Sequence, residues 1–251
     1  MLSIAGHDPG GGAGIQADIE TASALGVHAA TIISCLTVQD TINVYSLESV
    51  SVDLIRQQFE TLTNDLAFDS CKIGLIGTAV TAELLVELLA DKEPLLILDP
   101  ILAAGGGKEL AAEQLQITIK EKLLPITTLV TPNLPEAQRL TGQSTPEECA
   151  ATLIHLGCDN ALITGGHEEG NEVINRLYNR DGLAGEWNWP RLPGDYHGTG
   201  CTLSSAIAAL LAKGVKLYPA VEQAQRFTQN TLLSASTIGQ GQLIPNRRLN
   251  D

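Results

Sequence analysis

Short apolar runs rich in β-forming residues alternate with stretches of helical spacing along most of the chain. Leu2 to Ala5 precedes a helical stretch from Gly14 to Leu25, and an extended run follows from Ala29 to Val38; this is the order of a β-α-β unit. In the first helix Ile15, Ile19, Ala22 and Leu25 fall on one face, which leaves Gln16 and Asp18 elsewhere around its first turns. The alternation continues with helices at Ile55 to Leu66 and Thr81 to Ala90, and strands at Lys72 to Ile76 and Leu95 to Leu98. Leu110 to Leu124 reads as helical and Leu129 to Thr131 as extended, and Gly142 and Gly157 punctuate two further helices. Ala161 to Thr164 is a buried strand. Glu172 to Tyr178 and Leu183 to Trp189 form an antiparallel pair around Asp181-Gly182, and two helices finish the chain. No repeat, low-complexity tract or composition break marks a linker. The expected architecture is α/β, one domain over residues 1–251 with a mostly parallel central sheet between helical layers. In such sheets ligands bind where strand carboxyl ends lead into helices.

Composition narrows the partners. With 251 residues, 44% hydrophobic and 18% charged, the chain can bury a sizeable core. Lys and Arg total 15 against 29 Asp and Glu, a formal charge of −14, which repels nucleic acid and anionic membranes alike. An anionic ligand therefore needs local neutralisation. The five cysteines, Cys35, Cys71, Cys149, Cys158 and Cys201, include no close pair, a usage that points to reduced thiols in the cytoplasm and away from zinc. No basic leader and no uninterrupted apolar span is present, so the expectation is a soluble, unsecreted protein.

Candidate chemistry collects just after the strands. His197-Gly198-Thr199-Gly200-Cys201 precedes the apolar run Thr202 to Leu211 and describes a helix whose first turn is bare backbone. Its unpartnered N–H groups and dipole make an anion site, and a thiol held there is expected to ionise more easily. The plainer reading is a helix cap followed by a small buried cysteine. The loop His7 to Gly14 is glycine-rich but fails the dinucleotide pattern, because Ile15 or Ala13 stands where a glycine is required. Gly105-Gly106-Gly107-Lys108 fails the phosphate-loop pattern, with Leu102 in place of the leading glycine and Glu109 after the lysine. Gln39, at a strand end, can donate and accept at once, as a heteroaromatic base edge requires. Asp99-Pro100 places a carboxylate at another strand end, either to hold a cation or to cap a turn. Asn133 and Glu136, three apart, suit either a hydrated magnesium ion bearing phosphates or a capping box. His167, after Gly165-Gly166, reads as a loop residue.

With these motifs in this order, and with Ala13-Gly14-Ile15-Gln16-Ala17-Asp18 and His197 to Thr202 as its specific stretches, the chain resembles the hydroxymethylpyrimidine/phosphomethylpyrimidine kinases of thiamin synthesis. The likeness covers nearly the whole length. It implies a ribokinase-like three-layer αβα sandwich that transfers the γ-phosphoryl group of ATP to the 5-hydroxymethyl group of an aminopyrimidine, or to its monophosphate. By that resemblance Gln39, Asp18, Ala13 and Leu75 contact the pyrimidine. Asn133, Glu136, Thr164 and Gly166 face the nucleotide, and Asp99 and Glu136 face magnesium. Gly198, Thr199 and Gly200 form the anion hole, and Cys201 receives the hydroxymethyl proton. The family likeness also implies a cytoplasmic homodimer.

Three positions depart from the family's habit. Leu75 stands for a methionine, a volume-conserving change, while Gly105 and Thr164 stand for lysines that face phosphate. Neutralisation then rests more heavily on magnesium, with a monovalent cation as a further candidate, and on the helix dipole. Pyridoxal kinase activity is the nearest alternative, with Gln39 favouring the pyrimidine. A non-catalytic pyrimidine or nucleotide sensor is the alternative of another class; Cys201 argues against it and the absent lysines argue for it.

Overall fold

The computed structural model describes residues 1–90, 92, 94–102 and 113–248. Gly105, Lys108 and the start of the helix expected from Leu110 lie outside the described residues. Along the chain run β1 (Leu2–His7), α1 (Gly14–Ala24), β2 (Ala30–Gln39), β3 (Val44–Ser49), α2 (Val52–Asp65), β4 (Ser70–Ile73), α3 (Ala79–Leu89), β5 (Leu95–Leu98) and α4 (Glu113–Thr118). After a turn of π-helix at Ile119–Leu123 come β6 (Leu129–Val130), α5 (Leu134–Thr141), α6 (Pro146–His155), β7 (Asn160–Ile163), β8 (Glu172–Asn179), β9 (Gly182–Pro190), α7 (Thr199–Ala212) and α8 (Leu217–Leu233).

One nine-stranded sheet carries the order β3-β2-β1-β4-β5-β6-β7-β8-β9. Pairing is parallel from β2 to β7, with β3 antiparallel at one edge and β8 and β9 at the other. The central strands bury both faces by period-two alternation. Ile97, Leu129, Leu162 and Leu177 join the cluster of α7 and α8, whereas Leu96, Leu98, Val130, Ala161 and Ile163 join that of α2 to α6. Each fully buried Leu or Ile contributes about 1.5–3 kcal/mol, so a one-residue slip of any central strand is strongly disfavoured.

The fold places α7 for function. Small residues line it, among them Ser204, Ser205, Ala206, Ala208 and Ala209, all buried. That lets the helix lie close on β4 and β5, near enough for the Ser70 hydroxyl to donate to the Ala208 carbonyl at 2.8 Å. The strand order reverses direction between β1 and β4, and it is at such a switch point that a crevice opens above the strand ends.

Two expectations need correction. Ile19 is 43% exposed while Asp18 is wholly buried, so the inward face of α1 is centred on Ile15, Asp18 and Ala22. The reason is Lys72 of β4, also fully buried, whose ammonium lies 3.0 Å from both Asp18 carboxylate oxygens. Strand β3 was not anticipated. It follows a tight turn in which the Asp40 carboxylate accepts the N–H groups of Ile42 and Asn43, a local device of aspartate.

Candidate active site

A cleft of 1720 Å³ runs across the carboxyl ends of the parallel strands. At one end stand Gln39, Thr41 and Ile42, at the other Thr164, Gly166 and Trp189, with Cys201 between them. Its floor is built from the loops after β1, β4 and β5 and from the mouths of α5 and α7.

After β1, Asp8 is buried and organises the glycine loop. Its carboxylate accepts the N–H groups of Gly10 at 2.8 Å and Ala13 at 2.9 Å, and its Oδ2 lies 2.9 Å from His197 Nε2. Burial alone raises the pKa of this carboxyl, but hydrogen bonds from His197, Gln39 and Gly10 outweigh it and hold the value at about 2. The Asp8 anion thus ties the first loop both to Gln39 and to the approach of α7.

At that approach Gly198 adopts φ 83° and no side chain caps the helix. A β-carbon at Gly198 would fall on the Gly12 carbonyl oxygen, and one at Gly12 would fall on the His197 ring. Only glycine permits the two loops to touch in this way. The first N–H groups of α7 are left without a capping side chain, beside the cleft that Gly198, Thr199 and Gly200 line.

Cys201 borders the same cleft as Gln39 and Asn133, but its thiol does not ionise more easily as expected. Burial pushes it up to about 11; Lys72 opposes that rise while Asp99 and Asp18 add to it, and the Gly14 N–H favours the thiolate. Desolvation therefore outweighs the helix end.

Asp18 is the clearest departure from the residue set expected for the pyrimidine. Its carboxylate accepts from Ser3 at 2.5 Å, Ser205 at 2.6 Å and Lys72, every one of them buried, and it does not border the cleft. It braces the floor from beneath. Ala13 and Leu75 do border the cleft, and Leu75 is anchored by its carbonyl, which accepts from the Ser34 hydroxyl at 2.5 Å.

On the α5 side both halves of the capping box form. Asn133 Oδ1 accepts the Glu136 N–H at 2.9 Å, and Glu136 Oε2 accepts the Asn133 N–H at 3.0 Å. The plain structural reading of this motif holds, yet both residues still border the cleft. Burial, with Asp99 nearby adding to it, raises the Glu136 carboxyl to about 8. Burial also raises Asp99, against the pull of Lys72 and hydrogen bonds from Ser204 and Cys201. Two raised carboxyls bordering one cleft, Glu136 raised in part by Asp99, are a donor set that a divalent cation would relieve. Among the described residues no group of three or more His, Cys, Asp and Glu is poised for a metal.

Thr164 is pinned beside Asn133: its N–H donates to the Pro132 carbonyl at 3.0 Å and its carbonyl accepts the Leu134 N–H at 3.2 Å. Gly166 borders the cleft while Gly165 donates its N–H to Asn175. His167 is an exposed turn residue. Arg191, which the sequence reading passed over, fixes this loop by donating to the carbonyls of Gly166, Glu168, Gly170 and Glu172. Arg247, equally unforeseen, is 1% exposed and donates to Gly12 and Thr202. Neither arginine stands beside a motif; Arg191 is revealed by its set of carbonyl acceptors and Arg247 by its burial.

Comparison with known proteins matches residues 8–246 to the family described as phosphomethylpyrimidine kinase. The chain is 38% identical to the hydroxymethylpyrimidine/phosphomethylpyrimidine kinase of Haemophilus influenzae, covering 96% of this chain and 93% of that one. It is 34% identical to the kinase of the same description from Escherichia coli, with the same coverage. Among solved structures, the ADP complex of Bacillus subtilis pyridoxal kinase superposes with a TM-score of 0.91 at 29% identity over 99% of this chain and 98% of that one. Phosphomethylpyrimidine kinase of Clostridium difficile gives 0.80 at 30% identity over 92% and 98%. The ribokinase-like expectation for the fold stands.

Proposed function

The chain belongs to the phosphomethylpyrimidine kinase family, and from that premise we infer that it transfers the γ-phosphoryl group of ATP to 4-amino-5-hydroxymethyl-2-methylpyrimidine or its monophosphate in thiamin biosynthesis. The observation that carries the assignment to residues is the shared cleft of Gln39, Asn133 and the bare mouth of α7 with Cys201.

Gln39 presents an amide to the pyrimidine edge while Ala13 and Leu75 form the adjoining wall. Asn133, Thr164 and Gly166 face the nucleotide. The N–H groups at Gly198, Thr199 and Gly200 are aimed at oxygens that gain charge as the phosphoryl group moves, and stabilising those oxygens is most of what such a transfer requires. Cys201 takes the hydroxymethyl proton on Sγ. With its thiol pushed up to about 11, the competent thiolate is a minor form at neutral pH, supported by buried Lys72 and the Gly14 N–H. Asp99 and Glu136 would hold magnesium, which when bound supplies charge neutralisation to the phosphate oxygens; a monovalent cation is a second candidate for the same task. We further propose a single ribokinase-like domain acting as a cytoplasmic homodimer. Among the described residues no helix is long and apolar enough to cross a membrane.

The deciding assay measures ATP consumption with hydroxymethylpyrimidine, its monophosphate and pyridoxal offered separately. Turnover with the pyrimidines supports the reading, turnover with pyridoxal alone replaces it with the pyridoxal kinase reading, and no turnover with any points to a sensor. Activity that falls steeply at low magnesium supports the metal assignment. A sedimentation mass equal to that of one chain at micromolar concentration counts against the homodimer.

A further inference from the structure

The last described stretch of the chain borders the cleft at Gly241, Gln242 and Leu243. The Gln242 N–H donates to the Thr41 carbonyl at 2.8 Å, beside the β2–β3 turn. The next residue, Leu243, donates to the Asp195 carbonyl at 2.8 Å and accepts the His197 N–H at 2.9 Å. Asn246 is fixed by donating its N–H to the Thr231 carbonyl of α8. The segment thereby delivers Arg247 behind the mouth of α7.

Arg247 is buried at 1% exposure, an expensive place for a cation unless its geometry is specific. Its Nη2 donates to the Gly12 carbonyl at 2.5 Å, its Nε to Thr202 Oγ1 at 2.8 Å, and its Nη1 faces Glu20 Oε2 at 3.4 Å. The Thr202 hydroxyl, accepting from Arg247, donates onward to the Gly198 carbonyl at 2.8 Å. One planar guanidinium therefore holds the glycine loop after β1 and, through a single hydroxyl, the first turn of α7. Both contact points lie where an added β-carbon has no room, Gly12 against His197 and Gly198 against Gly12 itself. A lysine could keep the charge but could not hold both acceptors in one fixed plane.

We propose that Arg247 is a positioning residue that locks the loop carrying Ala13 to the turn carrying Gly198, Thr199 and Gly200. Resting on the kinase reading, its consequence is that the acceptor hydroxyl and the phosphoryl group are held in line, so the lock acts on turnover and not on capture of ATP.

The test uses R247K and T202V, singly and together, with two readouts on the full chain. Hydrogen exchange followed by mass spectrometry needs no turnover. R247K is expected to speed exchange at least about tenfold in residues 10–14 and 198–201 at once. T202V should loosen 198–201 alone, because the bond to Gly12 survives it, and the double variant should behave as R247K does. In steady state R247K should lower kcat and kcat/KM for ATP together by at least about tenfold while KM for ATP stays within about twofold. Faster exchange confined to residues 243–248, a fully additive double variant, or a rise in KM for ATP with unchanged kcat overturns the proposal. If R247K does not fold, T202V decides alone: unchanged exchange at 198–201 overturns the lock. A wild-type chain without pyrimidine turnover would reject the pyrimidine kinase reading, and the exchange result would still decide the lock.

Discussion

Two helices open into the cleft, and their mouths are built in opposite ways. α5 satisfies its own end: Asn133 and Glu136 exchange hydrogen bonds in a complete capping box. α7 does not, for it starts from a left-handed glycine with no capping side chain, and its bracing comes from outside, through Arg247 acting on its Thr202 and through the Asp8–His197 pair. The difference sets what each can offer a ligand. A self-capped end has its leading N–H groups occupied and presents a carboxyl whose ionised form a cation would favour. A bare end keeps N–H groups and positive potential, which suits an anion. A nucleotide with its metal presents both charges, and the two mouths share one cleft.

The comparison breaks most severely if the bare mouth is given a side chain. G198A places a β-carbon on the Gly12 carbonyl and near Arg247 Nη2, at a φ of 83° that L residues rarely adopt. The loops must separate, and displacement of about an ångström at a reacting centre costs on the order of 100-fold. Turnover of G198A is expected to fall by at least that factor, measured with saturating ATP and pyrimidine; a loss under about threefold would show that contact between the loops is not required.

Next in size is Cys201. C201A is expected to lower turnover at least about tenfold, a modest value for a general base, with pyrimidine affinity largely intact. The sign of the pH dependence follows from the thiol being raised to about 11. Below that value the thiolate fraction grows about tenfold per pH unit, so wild-type turnover should climb from pH 7 to pH 9 until another step limits it. C201A should lose that climb. A profile that is flat for both proteins removes Cys201 as proton acceptor.

The bare α7 mouth was legible in the sequence because it is local: glycine, threonine, glycine and cysteine before an apolar run fix it without reference to the rest of the chain. So were most strands and helices, whose apolar spacing is also local. Asp18 was misplaced because its orientation depends on Lys72, 54 positions away, and an acidic residue near a helix start looks solvent-facing until a buried cation is known to lie beneath it. The Cys201 thiol was expected to be acidic from the helix end alone; desolvation, a property of the assembled core, reverses the sign. Arg247 was invisible for the same kind of reason, since its acceptor Gly12 is 235 positions distant. The absent charge at Gly105 lies outside the described residues, while at Thr164 a bracing of Asn133 by backbone bonds is found where a lysine was the family's habit.

Smaller effects test the self-capped mouth. N133A removes the side chain that accepts the Glu136 N–H and should cost about 1 kcal/mol, or about 2–4 °C in Tm for a chain of this size. No comparable side chain exists to remove at α7. If N133A instead leaves Tm unchanged and raises KM for ATP severalfold, Asn133 serves the ligand more than the helix.

The smallest shift expected is from E136Q, and its sign is informative. In the folded chain the Glu136 carboxyl lies at about 8, raised by burial and then by Asp99, above an ordinary value of about 4.3. Between those values the folded state binds more protons than the unfolded one, so this residue's contribution to stability declines as pH rises through the window. Glutamine cannot ionise, and its Oε1 can still accept the Asn133 N–H. E136Q should therefore match wild type at pH 4 and exceed it at pH 9. Because the side chain is only half-buried and meets the open cleft, the gain should not exceed about 2–4 °C in Tm, the equivalent of roughly 1 kcal/mol. Magnesium should narrow the gap by stabilising the wild-type carboxylate and not the amide. Were E136Q the less stable protein at pH 9, the carboxylate would be favoured there as an anion by the helix end and Arg139, and the contrast between a cation-seeking mouth and an anion-seeking one would be lost.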